Sequence, residues 1–309
     1  MERYKYIGPL GEGAYGEVWK CQERSSGRMV AIKHFKQAHL NSDIMKLAVR
    51  EPSSPQDRPT MVATAAEAGR VRDIFRLAVA PPPHTVHTVH TPRERLGFVT
   101  GRPVQVHTLQ TCRHPNIVSL LDAFRTVCGH VYVVLECVEH TLTTYINVYP
   151  RGLPPFNTKL LMWQLISAVQ ALHSNKILHR DIKPANILVT EQGILKLCDF
   201  SFARTMHAGG ATGRYSDYVT TRWYRAPEVI VTDVYGPAVD VWAIGCVFAE
   251  MITGRALFRG RTNADQLHLI LQTFGTSLPL RQLQLASTHR KLQLLEMPAP
   301  QQIVSLEQR

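Results

Sequence analysis

Hydrophobic and polar positions fall into three regimes along the chain. Up to about residue 51, short apolar runs alternate around a glycine-rich turn, which predicts strands followed by a helix. In Asp43–Glu51, helical spacing puts Ile44, Leu47, Ala48 and Glu51 on one face. From residue 108 onward, strands give way to strongly periodic helices, such as Lys159–His173 and Ala238–Ile252. Between these regimes, residues 52–107 carry eight of the 19 prolines and no lysine, tyrosine or tryptophan. That stretch has too few large apolar residues for a core of its own and reads as an inserted, low-complexity, disordered segment. Its repeat His84-Thr85-Val86-His87-Thr88-Val89 offers closely spaced imidazoles for a metal, although a loop is the simpler reading. Residues 277–309, rich in Gln and Leu, form a divergent tail.

Composition narrows the classes. With 309 residues, 45% of them hydrophobic and 19% charged, a sizeable core is affordable and global disorder is excluded. Lys and Arg number 35 against 24 Asp and Glu, a formal charge of +11. Nucleic acid, an anionic membrane, phosphate ligands and a merely solvated basic surface all suit that charge. No nucleic-acid recognition motif accompanies it, so no specific nucleic-acid partner is expected. The N-terminal MERYKYIGPL carries no apolar run of the signal-peptide kind. Asp240 and Glu250 interrupt the longest apolar stretch, Val239–Ile252, so no membrane span is expected. Six cysteines without CxxC or CxxH spacing point to reduced thiols in the cytoplasm or nucleus.

Candidate chemistry begins at Leu10-Gly11-Glu12-Gly13-Ala14-Tyr15-Gly16-Glu17-Val18. Glycines followed by a strand suit a flap whose backbone N–H groups approach phosphate oxygens. Downstream, Val30-Ala31-Ile32-Lys33 is a strand with a lysine among apolar neighbours, and a buried lysine needs an anion. Glu51, ending an apolar helical stripe, is one candidate; a solvated glutamate at a helix end is the alternative. The strongest block is His179-Arg180-Asp181-Ile182-Lys183-Pro184-Ala185-Asn186, followed by Asp199-Phe200-Ser201. There Asp181 can orient a hydroxyl nucleophile and accept its proton, and Lys183 can steady a transferring phosphoryl group. Asn186 and Asp199 offer hard oxygen ligands to Mg²⁺.

These residues resemble the eukaryotic protein kinases. Ser216-Asp217-Tyr218-Val219-Thr220-Thr221-Arg222-Trp223-Tyr224-Arg225-Ala226-Pro227-Glu228, Val239–Cys246 and Asn263–Leu267 are similar to the cyclin-dependent-kinase-like family, in the group that also holds cyclin-dependent and MAP kinases. The resemblance implies an α+β, two-lobed fold. Residues 1–135 would form a small antiparallel N-lobe with one regulatory helix, and 136–276 a mainly helical, incomplete C-lobe. It implies a protein serine/threonine kinase using ATP and Mg²⁺ on protein substrates, with an upstream activating kinase. A cyclin partner is doubtful, because Met45–Glu51 lacks the cyclin-binding signature. Cilia enter as a family association only.

The resemblance also implies residue roles. Glu136 and Val138 would present hinge backbone groups to adenine, Val18 and Ala31 would cover the ring, and Leu188 would lie beneath it. Leu135 would be the gatekeeper. Ser216 and Tyr218 match a phosphorylated pair that would meet Arg180 and Arg222. Thr221 would bridge Asp181 and Lys183, and Asp240 would brace the catalytic loop. Tyr15 matches an inhibitory phosphorylation position, or simply packs.

Three departures stand out. Pro52 directly follows Glu51 and biases it out of the helix. The insertion would then remove the apolar residue expected behind Phe200 with His179 and Leu120. No PxxR follows Glu228, which leaves that carboxylate a candidate buried, unpaired charge. Finally, Ser201 replaces the expected glycine and would resist a positive φ. A catalytically impaired pseudokinase or scaffold is therefore the competing reading.

Overall fold

The computed structural model describes residues 2–13, 16–35, 104–126, 130–206, 211–212, 221–231 and 234–274. Three antiparallel strands open the chain: β1 (Tyr4–Gly13), β2 (Gly16–Glu23) and β3 (Met29–Phe35). A helix, α1 (Val104–Thr111), precedes β4 (Leu120–Arg125) and β5 (Val131–Glu136). The five strands make one sheet in the order β1-β2-β3-β5-β4, antiparallel throughout. Strand alternation sorts its side chains into two layers. Val30, Ile32, Tyr132 and Val134 pack with Tyr4, Trp19 and Phe124 on one face. Ala31, Val133 and Leu135 join the main core on the other. A Cβ at Gly16 would collide with the His34 carbonyl, so β2 can lie this close to β3 only with glycine there.

The second lobe starts with β6 (His140–Thr141), α2 (Leu142–Val148) and α3 (Pro155–Ser174). Proline at the first turn of α3 suits a position whose N–H would have no helical partner. Leu161, Leu165, Ala168, Val169 and Leu172 form its buried stripe. Short strands follow: β7 (Ile177–Leu178), β8 (Ile187–Val189), β9 (Leu195–Leu197), β10 (Arg204–Thr205) and β11 (Ala211–Thr212). Then come α4 (Pro227–Val231), β12 (Val234–Tyr235), α5 (Ala238–Thr253) and α6 (Asn263–Phe274). Gly254 ends α5 at φ 74°, its N–H closing on Glu250 O at 2.8 Å. The predicted helices 159–173 and 238–252 thus sit inside α3 and α5.

Two sequence expectations change here. The inserted segment does not run to residue 107, because α1 begins at Val104 and buries Gln105, Val106, Thr108 and Leu109. Leu109 joins the core cluster that holds Phe200 and Leu120, so the apolar residue expected to be lost is supplied by α1. The strain expected at Ser201 also does not arise. The left-handed residue is Asp199, at φ 56°, a conformation that aspartate tolerates better than most residues. Glu51 and the rest of 36–103 lie outside the described residues, as does the tail from 275. Among the described residues, no helix is long and apolar enough to cross a membrane.

Candidate active site

Two short structures carry the polar residues between the lobes. The catalytic-loop segment leaves β7 and reaches β8 through a 3₁₀ turn at Pro184–Asn186. Its backbone is fixed from α5. The Asp240 carboxylate is 1% exposed and accepts from His179 N at 2.9 Å and Arg180 N at 2.8 Å. It also bonds His173 Nε2 at 2.8 Å. Arg180 takes φ 71°, and its side chain donates to Phe202 O at 3.3 Å and covers the Tyr235 ring.

Beyond this brace, Asp181 Oδ2 accepts from Lys183 Nζ and from Asn186 Nδ2, each at 2.8 Å. Asn186 Nδ2 also donates to Asp181 O at 2.8 Å, which aims the amide oxygen away from the loop. Asn186 O in turn accepts from Cys198 N at 3.0 Å, which sets Asn186 beside the residue preceding Asp199.

Across the cleft, Lys33 is 7% exposed on β3 and pairs with Asp199 Oδ1 at 2.7 Å. Ser201 Oγ closes a triangle, accepting from Lys33 Nζ at 3.0 Å and donating to Asp199 Oδ1 at 2.7 Å. Burial alone would push the Asp199 carboxyl up. The Lys33 charge and the hydrogen bonds from Lys33 and Ser201 outweigh it and hold the group well below the usual carboxylate range. Its neighbour Cys198 is pushed up to about 12 by burial and by the Asp199 charge, so this thiol stays protonated. Among the described residues the anion beside Lys33 is Asp199; Glu51, the candidate offered by the sequence, lies outside them.

Asp199 Oδ2 and Asn186 Oδ1 receive no hydrogen bond from the described residues. Two hard oxygens without donors, beside a carboxylate already ionised, fit a small divalent cation that keeps several waters.

The walls of the cleft come from both lobes. Val18 pairs with Lys33 and with Gly11, and Ala31 pairs with Leu135. Leu10, Val18, Ala31 and Leu135 share the main core cluster. Glu136 ends β5; its carboxylate accepts from Ser119 N at 2.7 Å and pairs with Lys196 at 2.9 Å. Val138 follows in the connection to β6, and Leu188 lies on β8. Glu12 and Gly13 close the β1–β2 hairpin, whereas Ala14 and Tyr15 lie outside the described residues.

The remaining candidates scatter. Ser216 and Tyr218 lie outside the described residues. Arg222 Nε and Arg225 Nη1 both donate to Asn263 Oδ1 at 3.1 Å. Thr221 lines a small cleft with Asp181, Tyr224 and Arg225, but makes no hydrogen bond to Asp181 or Lys183. Burial raises the Glu228 carboxyl, and no described cation pairs with it. One participant escaped the sequence reading, the Ser201 hydroxyl, considered only for its backbone.

The protein kinase domain family matches residues 103–298, well over half of the chain. The chain is a member of the protein kinase family. The match takes in residues 277–298, which the sequence reading had set apart as a divergent tail. Cyclin-dependent kinase-like 4 of Mus musculus is 34% identical over 310 residues, covering 100% of this chain and 73% of the relative. Its Homo sapiens counterpart is also 34% identical, and this chain spans 66% of it. Cyclin-dependent kinase-like 2 of Oryctolagus cuniculus is 38% identical over 283 residues, covering 91% of this chain and 40% of the relative. The cyclin-dependent-kinase-like resemblance therefore holds over most of the chain, and with it the two-lobed α+β kinase fold.

Proposed function

We propose that this kinase transfers the γ-phosphoryl of ATP to serine or threonine hydroxyls of protein substrates, with Mg²⁺ as the cation. One observation carries the reading: Asp181, Lys183 and Asn186 form a single hydrogen-bonded cluster facing the Lys33–Asp199 pair. Asp181 is the base that orients the acceptor hydroxyl and takes its proton, and Lys183 steadies the transferred group. Lys33 binds phosphate oxygens, and Asn186 and Asp199 are the residues that would hold Mg²⁺. When bound, the cation neutralises charge developing on the phosphate oxygens. Leu10, Val18, Ala31, Leu135 and Leu188 enclose the adenine, with Glu136 and Val138 as its backbone contacts. The glycines of the β1–β2 hairpin cover the phosphates.

Regulation by phosphorylation at Ser216 and Tyr218, read by Arg180 and Arg222, belongs to the same proposal, as does an inhibitory role for Tyr15. The five described cysteines are all free thiols, which supports a reducing compartment, cytoplasm or nucleus. The test is incubation with labelled ATP, Mg²⁺ and a basic protein substrate, followed by phosphoamino acid analysis. Label on serine or threonine is expected. Label confined to tyrosine overturns the specificity, and MgATP binding without any transfer favours a scaffold.

A further inference from the structure

Two histidines meet on the sheet face opposite to Lys33. His34 lies near the end of β3, one residue past Lys33 and so on the other side of the pleat, and His130 immediately precedes β5. His34 Nε2 and His130 Nδ1 are 3.2 Å apart, with ring centres 5.2 Å apart. A straight N–H···N bond of that length would put the ring centres about 5.5 Å apart. A tetrahedral Zn²⁺ at about 2.0–2.1 Å from each nitrogen needs nitrogens about 3.3–3.4 Å apart and ring centres about 5.2–5.3 Å apart. The pair meets this second geometry to within about 0.2 Å, the tolerance of a metal site. Both rings are also held in place. The His34 ring stacks on Tyr132, centroids 4.8 Å apart, and lies 5.2 Å from the Trp19 ring. His130 closes the β4–β5 hairpin, where Thr126 N donates to His130 O at 2.9 Å and His130 N donates to Thr126 Oγ1 at 3.2 Å. Glu17 on β2 pairs across from His34, and Trp19 Nε1 donates to its Oε2 at 3.1 Å, which keeps a carboxylate on this face.

We propose that His34 and His130 form a two-histidine site for Zn²⁺ or a similar transition ion, which staples the end of β3 to the start of β5. The hydrogen between the rings moves to the far nitrogen of its own imidazole, and the two facing nitrogens then offer lone pairs with no change in net charge. No three metal-ligating side chains gather at one point among the described residues, so water completes the shell. Imidazole nitrogens suit Zn²⁺, whereas Mg²⁺ takes oxygen ligands. The site is thus distinct in chemistry and position from the Asn186 and Asp199 oxygens.

Calorimetric titration of the full chain with Zn²⁺, its thiols kept reduced by a phosphine, tests the proposal. Wild type should bind Zn²⁺, and excess Mg²⁺ should not displace it. His34→Gln and His130→Gln should each weaken that binding by about tenfold or more, and the double variant should lose no more than either single one. Without metal, both variants should melt with wild type; added Zn²⁺ should raise the melting temperature of wild type alone. Co²⁺ spectra separate imidazole from thiolate ligands. The wild-type Co²⁺ complex should lack a thiolate charge-transfer band. His130→Cys, which keeps a ligand should the glutamine variants fold poorly, should gain that band. Zn²⁺ binding that survives both glutamine variants, or that disappears in the variant His84→Ala, His87→Ala, His90→Ala, would overturn the proposal. So would a thiolate band from wild type, or a wild-type chain that binds no Zn²⁺.

Discussion

Replacing Asp240 by asparagine tests how the catalytic loop is held. The carboxylate is buried and takes three donors: His179 N at 2.9 Å, Arg180 N at 2.8 Å and His173 Nε2 at 2.8 Å. An asparagine of the same shape offers one oxygen and one NH₂ group. Either amide orientation turns the NH₂ against one of the two backbone N–H groups, which loses its acceptor. Stranding a buried donor costs about 1–3 kcal/mol, and the surviving bonds fall from charge-assisted to neutral, for roughly 1 kcal/mol more. The sum is roughly 2–4 kcal/mol. At 2–4 °C per kcal/mol for a domain of this size, the melting temperature should fall by roughly 5–15 °C. The same two N–H groups precede Asp181 in the chain, so kcat should drop by about tenfold or more as the base loses its register. Circular dichroism melting and steady-state kinetics on the same preparation supply both numbers. A variant that melts within about 2 °C of wild type with unchanged kcat would refute this account of the brace.

Other outcomes follow from neighbouring contacts. Ser201→Ala removes a hydroxyl shared by Lys33 and Asp199 and should cost about 1 kcal/mol in urea unfolding at pH 7; no change would mean that the direct pair suffices. The Glu228 carboxyl titrates above its unfolded value, so its contribution is fully present below about pH 4.5 and is lost as the pH rises through the folded value. Glu228→Gln should therefore stabilise the chain at pH 7 and leave it unchanged near pH 4, and a pH-independent difference would contradict the burial argument. Tyr224 donates its hydroxyl proton to the Glu250 carboxylate, and Tyr224→Phe should cost about 1–3 kcal/mol and raise the Glu250 pKa further, read by urea unfolding across pH.

Much of this architecture is legible in the sequence because its periodicities are clean. Val30–Lys33 reads as a strand, and the 3.6-residue stripes of α3 and α5 emerge from residues such as Leu161, Leu165 and Leu172. The catalytic-loop cluster is equally legible, because Asp181, Lys183 and Asn186 lie within one short segment and meet through local geometry. Helix α1 was hidden for a physical reason. Its core-facing positions include Gln105 and Thr108, so apolar periodicity fades where polar residues are buried. The partner that the structure gives Lys33 was not legible either. A buried ammonium demands an anion, but sequence adjacency to a helix cannot choose between Glu51 and Asp199, which lies far along the chain and arrives through the fold. The Ser201 reading failed because the positive φ falls two residues earlier, on Asp199.

Single-turnover transfer of labelled phosphate from MgATP to a basic serine- and threonine-containing protein, with Asp181→Asn as control, addresses the central claim. The variant should fold like wild type and transfer about 10²–10⁴-fold more slowly, the span of a lost general base. Wild type that transfers no faster than Asp181→Asn would contradict a catalytic role for the loop and leave the chain as a binding scaffold.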